Sequence, residues 1–348
     1  MTAILITGGA GFIGVHSARH FAERGYSVTV LDNLSRKGAA ENLSWLKGLC
    51  SVNFVRADIR DHGTVAQIVG DVQPDVLLHL AAQVAVTTSV EDPRTDFEAN
   101  ALGTFNLLEA VRLRSPKTFF IYAATNKVYG RMEDLSVVER GGRYEYGNLP
   151  NGVGEDRPLD FHSPYGCSKG VADQYTIDYS RIYGLQTVTF RQSCIYGTRQ
   201  FGIEDQGWVA WFTIASVLGK QITIFGNGKQ IRDVLHVGDL VRAYEAAYMH
   251  RDRASGQTFN IGGGPANTLS LQELIALLEQ ELDKVIPLKW SDWRPGDQPV
   301  FVCNVAKAER LFGWRPEIGV REGVNELIAW TRNNSALFAI LELAVVRS

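Results

Sequence analysis

A tyrosine and a lysine stand four residues apart in the middle of the chain, at Tyr165 and Lys169. The segment Ser163–Gly184 predicts a long helix, with Ser163 as N-cap and Pro164 at the first helical position. Side chains four residues apart lie on one face of a helix. A lysine ammonium favours the phenolate of a neighbouring tyrosine, whose pKa is otherwise about 10. We therefore predict that Tyr165 takes a proton from a hydroxyl group with the support of Lys169.

A glycine-rich turn lies near the start of the chain, between a predicted strand and a predicted helix. The segment Thr7–Gly14 reads TGGAGFIG. Gly9, Gly11 and Gly14 fit one spacing of a dinucleotide-binding turn, and Gly8, Gly11 and Gly14 fit another. Either spacing allows the backbone to approach a pyrophosphate at the positive end of the helix. The turn therefore predicts a dinucleotide cofactor.

Three further segments at strand ends suit the same cofactor. Asp32 ends the second strand, where a carboxylate accepts hydrogen bonds from ribose hydroxyls and repels a 2′-phosphate, so NAD is favoured over NADP. Asp58-Ile59 follows the third strand, where the carboxylate would accept from the adenine amine, with a helix cap as the alternative. Ala81-Ala82-Gln83 follows the fourth strand. Small residues there would let the backbone pass close to the cofactor, with plain packing as the alternative.

Short strands alternate with helices over the first half of the chain. The pattern predicts strands at Ala3–Ile6, Ser27–Leu31, Asn53–Arg56, Val76–Leu80 and Thr118–Tyr122, and helices at Phe12–Arg24, Thr64–Val69 and Phe97–Arg112. Such alternation predicts an α/β fold with a Rossmann-type, doubly wound parallel sheet. We expect a cofactor domain at 1–195, with an irregular excursion at 131–156. A smaller α+β substrate lobe, with a helix at Leu271–Leu282, is expected at 196–348, and some of its segments are expected to return to the first domain.

Composition limits the classes of partner and location. Hydrophobic residues make up 45% of the chain, and the net charge is −3, which argues against a nucleic-acid partner. No apolar run is long enough to span a bilayer, and the apolar tail Leu337–Val346 is expected to form a packing helix. The four cysteines form no CxxC pair, and the N-terminal residues lack the pattern of a signal peptide. We therefore expect a cytoplasmic protein with reduced thiols and no metal site.

Taken in order, these motifs resemble the extended short-chain dehydrogenase/reductase family, which comprises nucleotide-sugar epimerases, dehydratases and decarboxylases. The resemblance covers essentially the whole chain. It rests on the glycine turn at 7–14, Asp32-Asn33-Leu34, Asp58-Ile59-Arg60, His79–Gln83, Thr125 before Val128-Tyr129-Gly130, Tyr165–Lys169, Arg232-Asp233-Val234, Val237-Gly238-Asp239 and Arg294–Asp297. The resemblance implies NAD as cofactor and Thr125, Tyr165 and Lys169 as catalytic residues, with the Thr125 hydroxyl sharing the substrate oxygen.

The predicted binding residues fall into two sets. The cofactor set is Gly8, Gly11, Phe12, Ile13, Gly14, Asp32, Asn33, Asp58, Ile59, Ala81, Ala82, Gln83, Asn100, Tyr165 and Lys169. The substrate set is Thr125, Asn126, Lys127, Arg199, Gln206, Arg232 and Arg294. Arg232 and Arg294 are chosen for a diphosphate because planar guanidinium groups suit phosphate oxygens. A surface or interdomain ion pair is the alternative for these arginines.

The residues after Thr125 bear on the type of reaction. Sugar 4,6-dehydratases of the family carry Asp-Glu there, whereas this chain carries Asn126-Lys127, so elimination is disfavoured. The segments 32–38, 125–130, 160–169, 205–209 and 225–234 are similar to the branch that inverts C2 of CDP-paratose. We therefore predict an epimerase acting on a CDP-linked sugar through a transient 2-ketone. A UDP-hexose 4-epimerase, another nucleotide-sugar enzyme of the family, and a non-enzymatic NAD-sensing or scaffold protein are the alternatives.

Two expectations follow from the resemblance alone. Many relatives have Asn at the position of Cys194, so a direct substrate contact there is in doubt. Relatives also pair helices of the sheet domain into homodimers, some of which stack into homotetramers. The segments Phe97–Arg112 and Asp173–Tyr183 would supply that face in this chain.

Overall fold

The structure is a computed structural model that describes residues 1–204, 206–294 and 297–338. Its strands are β1 (Ala3–Thr7), β2 (Ser27–Asp32), β3 (Asn53–Arg56), β4 (Val76–His79), β5 (Phe119–Thr125), β6 (Val137–Arg140), β7 (Arg143–Tyr146), β8 (Thr187–Gln192), β9 (Cys194–Tyr196), β10 (Ile222–Phe225), β11 (Ile231–His236), β12 (Gln257–Ile261), β13 (Thr268–Ser270), β14 (Leu288–Ser291) and β15 (Val300–Phe301). Its α-helices are α1 (Phe12–Glu23), α2 (Ala39–Leu49), α3 (His62–Val72), α4 (Val86–Glu91), α5 (Pro93–Phe97), α6 (Gly103–Arg114), α7 (Ser163–Tyr183), α8 (Trp208–Val217), α9 (Val237–Met249), α10 (Arg251–Ala254), α11 (Leu271–Leu282), α12 (Ala306–Phe312) and α13 (Val320–Asn333). A π-helical turn covers Glu98–Leu102, and a 3₁₀ turn covers Asn126–Tyr129.

The described residues form a central sheet of seven parallel strands, in the order β3-β2-β1-β4-β5-β8-β12. Its middle strands are apolar and fully buried, because helices cover both faces. One face packs against α1, α2 and α9, and the other packs against α3, α6 and α7. The strand order reverses between β1 and β4, where ligands bind at the carboxyl ends of such sheets. The predicted doubly wound α/β fold is confirmed.

The second half of the chain builds a smaller lobe and also returns to the central sheet. In the lobe, β11 pairs with β9, β13 and β15, while β10 pairs with β14. Helices α8, α11 and α13 enclose the apolar core of the lobe. In contrast, β12 lies beside β8 in the central sheet, with Gln257 opposite Val188, and α9 packs against α1.

Two local predictions were wrong. The excursion at 131–156 is not irregular throughout, because β6 and β7 form an antiparallel hairpin with Arg140 opposite Arg143. Its turn residues, Gly141 and Gly142, both have positive φ, which suits a two-residue hairpin turn. The N-cap of α7 is His162 and not Ser163, whose hydroxyl accepts from the Gly166 N–H at 3.2 Å.

The end of the chain is described only in part. Of the predicted helix at Leu337–Val346, residues 339–346 lie outside the described residues. Phe338 packs against Trp330 and Phe201, with ring centroids 5.5 and 5.8 Å away. None of the helices within the described ranges has the length and apolar composition needed to cross a membrane.

Candidate active site

A cavity of about 470 Å³ opens at the carboxyl ends of the central strands. This volume is within the usual range for small-molecule sites. Of the predicted cofactor residues, those that line the cavity are Gly8, Gly11, Phe12, Ile13, Gly14, Asp32, Asn33, Asp58, Ile59, Ala81, Ala82, Gln83, Tyr165 and Lys169. The structure thus brings together segments that are up to 160 residues apart in the chain.

The glycine turn takes the spacing of Gly8, Gly11 and Gly14. Gly8 has φ +66°, and a Cβ there would lie 2.6 Å from the Ala81 backbone nitrogen. A Cβ on Gly14 would lie 2.3 Å from the Gly8 carbonyl oxygen, so α1 packs directly on the turn. Gly11 is the N-cap of α1, and no side chain caps this helix. The N–H groups of its first turn therefore remain available for a pyrophosphate, as a bound dinucleotide requires.

The Asp32 carboxylate is held by two backbone donors at the cavity wall. Its oxygens accept from the N–H groups of Ala10 at 3.0 Å and Leu34 at 2.7 Å. Burial raises the pKa of Asp32, and these two hydrogen bonds partly offset the effect. The fixed carboxylate suits the two hydroxyls of a cofactor ribose. The nearby Arg36 donates to the Gln206 side chain, which also lines the cavity.

Asp58 and Asn33 form one hydrogen-bonded unit. Asp58 accepts from Asn33 Nδ2 at 3.0 Å and from Arg60 Nη2 at 2.8 Å. The Arg60 guanidinium holds the pKa of Asp58 at about 2. Asp58 therefore remains an ionised hydrogen-bond acceptor, although Arg60 already occupies part of its capacity to accept hydrogen bonds.

Asn100 does not line the cavity as predicted, because it lies behind the wall. Its side-chain oxygen accepts from the Gln83 N–H at 3.0 Å, and its Nδ2 donates to Asp96 and Ser168, each at 3.1 Å. Asn100 therefore supports the cofactor loop at Gln83 and the catalytic helix α7 from inside the protein.

Tyr165 and Lys169 lie in the wall of the cavity, and the buried Thr125 lies close to them. Tyr165 and Lys169 share a face of α7, and the Thr125 hydroxyl is near enough to the phenol to lower the pKa of Tyr165. Lys169 Nζ donates to the Ala123 carbonyl oxygen at 2.6 Å and lies 4.5 Å from the centroid of the Tyr122 ring. This arrangement places a phenol, a hydroxyl and an ammonium group where a sugar hydroxyl would meet a cofactor.

The protonation of this pair differs from the expectation. Burial raises the pKa of Tyr165 to about 12, and the nearby Thr125 hydroxyl offsets only part of the rise. Burial also lowers the pKa of Lys169 to about 7. In the free chain, desolvation of the phenolate therefore outweighs any attraction by Lys169, and the support of Tyr165 by Lys169 in the cofactor-bound protein stays a prediction.

Four of the predicted substrate residues form a second group beyond Thr125. The Arg232 guanidinium pairs with Asp297 at 2.6 Å, and the half-buried Lys127 lies near it. The Arg294 guanidinium lies 3.9 Å from the centroid of the Phe225 ring. Asn126, which is buried, accepts from the Thr125 hydroxyl at 3.3 Å.

Cys194 lies near Arg232 and Lys127 in the same group. Burial raises the pKa of its thiol, so the thiolate that a nucleophile needs is disfavoured.

Arg199 and Gln206 lie apart from the group around Arg232. Both line the dinucleotide cavity, and Arg199 stacks on Trp45 with 4.6 Å between the guanidinium carbon and the ring centroid. Their contact with the substrate stays a prediction, because this cavity also holds Tyr165 and Lys169. Sequence order placed them with the lobe, but the loop that follows β9 turns back toward α2, where Asn42 Nδ2 donates to the Arg199 carbonyl oxygen at 3.2 Å.

Asp96 and Ser168 were missed by the sequence analysis. Asp96 is fully buried and accepts from the Ser168 hydroxyl at 2.5 Å. The one available signal was that Asp96 stands four residues before Asn100, which places both on one helical face.

Comparison with known proteins agrees with this geometry. The family model described as GDP-mannose 4,6 dehydratase matches residues 5–327. The chain belongs to this family, a branch of the extended short-chain dehydrogenases/reductases. It is 47% identical to CDP-paratose 2-epimerase from Salmonella typhi over 335 residues, which cover 94% of this chain and 98% of that protein.

Solved structures of family members have the same fold. The UDP-glucose 4-epimerase of Thermotoga maritima, solved with UDP-glucose, is 31% identical with a TM-score of 0.83 and covers 96% of this chain and 100% of its own. The UDP-glucose 4-epimerase of Thermus thermophilus, solved with NAD, is 32% identical with a TM-score of 0.80 and equal coverage. The predicted family, the enzyme class and NAD as cofactor are confirmed.

Proposed function

We propose that this protein is an NAD-dependent nucleotide-sugar epimerase that converts CDP-paratose to CDP-tyvelose by inversion at C2. The similarity to the Salmonella typhi CDP-paratose 2-epimerase supports the substrate. The observation that carries the reaction type is that Tyr165 and Lys169 share a face of α7 in the wall of the cavity that the glycine turn lines, with the Thr125 hydroxyl near the phenol. A phenol in that position suits removal and return of a proton on a sugar hydroxyl.

The chemistry of the substrate favours direct oxidation at C2. CDP-paratose has no hydroxyl at C3, and a ketone at C4 would acidify the hydrogens at C3 and C5 but not the hydrogen at C2. Deprotonation of C2 is therefore not assisted by a ketone at C4. Oxidation of C2 to a ketone, followed by return of the hydrogen to the opposite face, inverts the centre directly.

The chain's own residues handle the proton in this route. When bound, NAD supplies the acceptor that takes hydride from C2 and later returns it, and its oxidised form brings a positive charge near the phenol. Tyr165 Oη takes the proton of the C2 hydroxyl as the carbon–oxygen double bond forms. Thr125 holds the same oxygen, and Lys169 stands one helical turn behind. After the ketone sugar has rotated to present its opposite face, Tyr165 returns the proton to the oxygen.

The residues after Thr125 support epimerisation over elimination. The buried amide of Asn126 and the half-buried amine of Lys127 occupy the positions where dehydratases of the family carry an acid pair. Neither side chain is a carboxyl group. Loss of water from the sugar therefore lacks its acid and base at this point of the chain.

We assign the nucleotide end of the substrate to the group around Arg232. Arg232, Arg294 and Lys127 supply cationic donors that suit a diphosphate. They lie in or next to the lobe at 196–348, so we propose this lobe as the substrate domain and 1–195 as the cofactor domain. Strand β12 and helix α9 then belong to the cofactor domain, since they pack on its sheet.

We infer that the protein forms homodimers, which pair into tetramers in some relatives, through α6 and α7. Apolar side chains on these helices are exposed to solvent, among them Phe105 (38%), Leu113 (63%), Tyr175 (46%) and Ile182 (65%). The rings of Phe105 and Tyr175 contact each other edge to face across the two helices at 5.9 Å. Such a patch suits a second copy of the chain. Location in the cytoplasm stays a prediction from the cysteine pattern.

The test of the proposed function is a substrate panel with a labelled sugar. NAD-loaded protein is incubated with CDP-paratose and, separately, with UDP-glucose, and products are identified by NMR. We expect CDP-tyvelose from the first and no product from the second. CDP-paratose deuterated at C2 should keep its label, because the same hydrogen leaves and returns. Loss of label to solvent would refute the 2-ketone route, and galactose formation would favour a 4-epimerase.

A further inference from the structure

A buried carboxylate lies behind the reactive pair. Asp96 is on α5 and is fully buried. It accepts hydrogen bonds from Ser168 Oγ at 2.5 Å, from Asn100 Nδ2 at 3.1 Å and from Gln83 Nε2 at 3.2 Å. These donors come from the catalytic helix, from the π-helical turn and from the cofactor loop. Within the described ranges, no basic side chain lies within ion-pair distance of Asp96.

The other buried carboxylate near the site is already neutralised. Asp173 lies one turn beyond Lys169 on α7 and takes two hydrogen bonds from Arg191, at 2.9 and 3.0 Å. Lys169 itself donates to the Ala123 carbonyl oxygen and has no carboxylate within ion-pair distance in the described part of the chain. Burial raises the pKa of Asp96, whereas the hydrogen bond from Ser168 and the charge of Lys169 lower it and favour the carboxylate. Asp96 and Lys169 therefore both lack ion-pair partners in the described residues, and Asp96 is hydrogen-bonded to Ser168, the residue next to Lys169. A buried charge is costly unless an opposite charge compensates it.

We propose that Asp96 is a positioning residue whose buried negative charge favours the ammonium form of Lys169 and whose bond to Ser168 holds the first turns of α7 at the cavity. This role deepens the proposed function. Its effect on turnover rests on that function, whereas its effect on Lys169 does not. Asp96 does not touch the cavity, so it acts through Lys169 and Tyr165.

The remaining groups that face Lys169 do not supply this charge. His79 on β4 lies between the hydroxyls of Thr7 and Thr104, at 2.7 and 2.9 Å, and burial holds its pKa well below the usual value, so it is neutral. Burial raises the pKa of Tyr122 on β5, so this phenol is neutral as well. Asp173 is ion-paired with Arg191 and raises the pKa of Lys169 less than Asp96 does. Among the groups named here, Asp96 is therefore the carboxylate near Lys169 that has no ion-pair partner in the described residues.

The charge of Asp96 acts on both members of the pair in the same direction. It raises the pKa of Lys169 and the pKa of Tyr165. Removing this charge lowers both values, so the two titrations that limit the pH profile of turnover both move to lower pH. A residue with a merely structural role would reduce turnover without moving this range.

The substitution Asp96→Asn removes the charge and can keep the hydrogen bonds. The amide oxygen still accepts from Asn100 and Gln83. The Ser168 hydroxyl can turn to donate to the Tyr165 carbonyl oxygen, 3.2 Å away, and accept from the new amide. Asp92→Asn is the matched control, since Asp92 precedes α5 at its exposed end, where it caps Thr95 at 3.0 Å. Asp96→Ser is a smaller neutral variant in case the amide is not tolerated.

The main readout needs no substrate. Trace acetylation with acetic anhydride over a pH series, read by mass spectrometry at Lys169, gives the apparent pKa of this amine in the NAD-loaded protein. We expect Asp96→Asn and Asp96→Ser to lower it by about 1 unit, the usual effect of a nearby buried charge, and Asp92→Asn to leave it unchanged. An unchanged or raised pKa in either neutral variant would overturn the proposal.

The second readout is the pH profile of turnover on CDP-paratose. Both limbs of the profile should move to lower pH in Asp96→Asn, and neither should move in Asp92→Asn. Lower turnover with unmoved limbs would overturn the proposal and leave Asp96 a structural residue. If the wild-type protein does not act on CDP-paratose but the acetylation curve shifts, the role of Asp96 stands and the proposed function fails.

Discussion

The packing of α1 on the glycine turn makes Gly14→Ala a sharp test of the cofactor site. The new Cβ would lie 2.3 Å from the Gly8 carbonyl oxygen and 2.5 Å from the Gly9 Cα. Side-chain Cβ atoms do not approach heavy atoms closer than 3.0 Å, so the helix must retreat by roughly 0.7 Å, the difference between 3.0 Å and 2.3 Å. Both obstructing atoms belong to the backbone and cannot rotate away.

The displacement has a cost in stability and in binding. Overpacking of a well-packed site costs about 1–3 kcal/mol in the free energy of unfolding. The same shift moves the first-turn N–H groups of α1 away from the pyrophosphate. A misplacement of this size weakens a positioned interaction by roughly 10- to 100-fold. We therefore expect a lower melting temperature and a dissociation constant for NAD raised by about this factor.

Calorimetric titration of NAD into the apo protein and urea unfolding measure the two effects. Gly48→Ala is the control, because Gly48 lies in α2 with no atom within 4 Å of a Cβ there. The control should keep wild-type affinity for NAD and gain about 0.5–1 kcal/mol in stability. Wild-type affinity and stability in Gly14→Ala would refute the tight packing of the turn against α1.

Four further outcomes are expected. Tyr165→Phe should keep its NAD and lose turnover at least about 100-fold, and retained turnover would exclude the phenol as base. Asp173→Asn leaves Arg191 buried without a counter-charge, so the free energy of unfolding in urea should fall by about 3–5 kcal/mol. A fall below about 1 kcal/mol would contradict the importance of this ion pair. Phe105→Glu should give monomers in analytical ultracentrifugation, and a persisting dimer would rule out the α6–α7 face. The pKa of Asp58 is lowered to about 2 in the folded state, so its ion pair with Arg60 stabilises the protein above about pH 4 and is lost as the pH falls toward 2. Asp58→Asn should therefore flatten the acid limb of the curve of unfolding free energy against pH. An unchanged acid limb would contradict the assignment.

Features formed by residues close in the chain were predictable. The alternation of apolar strands and helices depends on local patterns, and the bounds of β3 and α11 agree with those read from the sequence. The four-residue spacing of Tyr165 and Lys169 fixes their shared face on α7 in the same way. The hairpin of β6 and β7 escaped notice because its strands are short and mostly charged or exposed.

Features that join distant segments were not predictable from local patterns. Nothing in the residues near Arg199 and Gln206 indicates that they line the dinucleotide cavity, since the loop that carries them is placed by α2. The position of Asn100 behind the wall depends on Gln83 and Ser168, which come from two other elements.

The protonation of Tyr165 and Lys169 likewise depends on contacts between distant segments. The spacing of Tyr165 and Lys169 establishes that an ammonium stands one turn from a phenol, and the glycine turn establishes the kind of cofactor. The depth of burial, which raises the pKa of the phenol and lowers that of the amine, comes from layers packed around α7. The burial of Asp96 among polar partners, with no ion pair in the described residues, arises from the same packing. Helical spacing and turn geometry need only neighbouring residues, whereas desolvation depends on every segment that excludes water from the site.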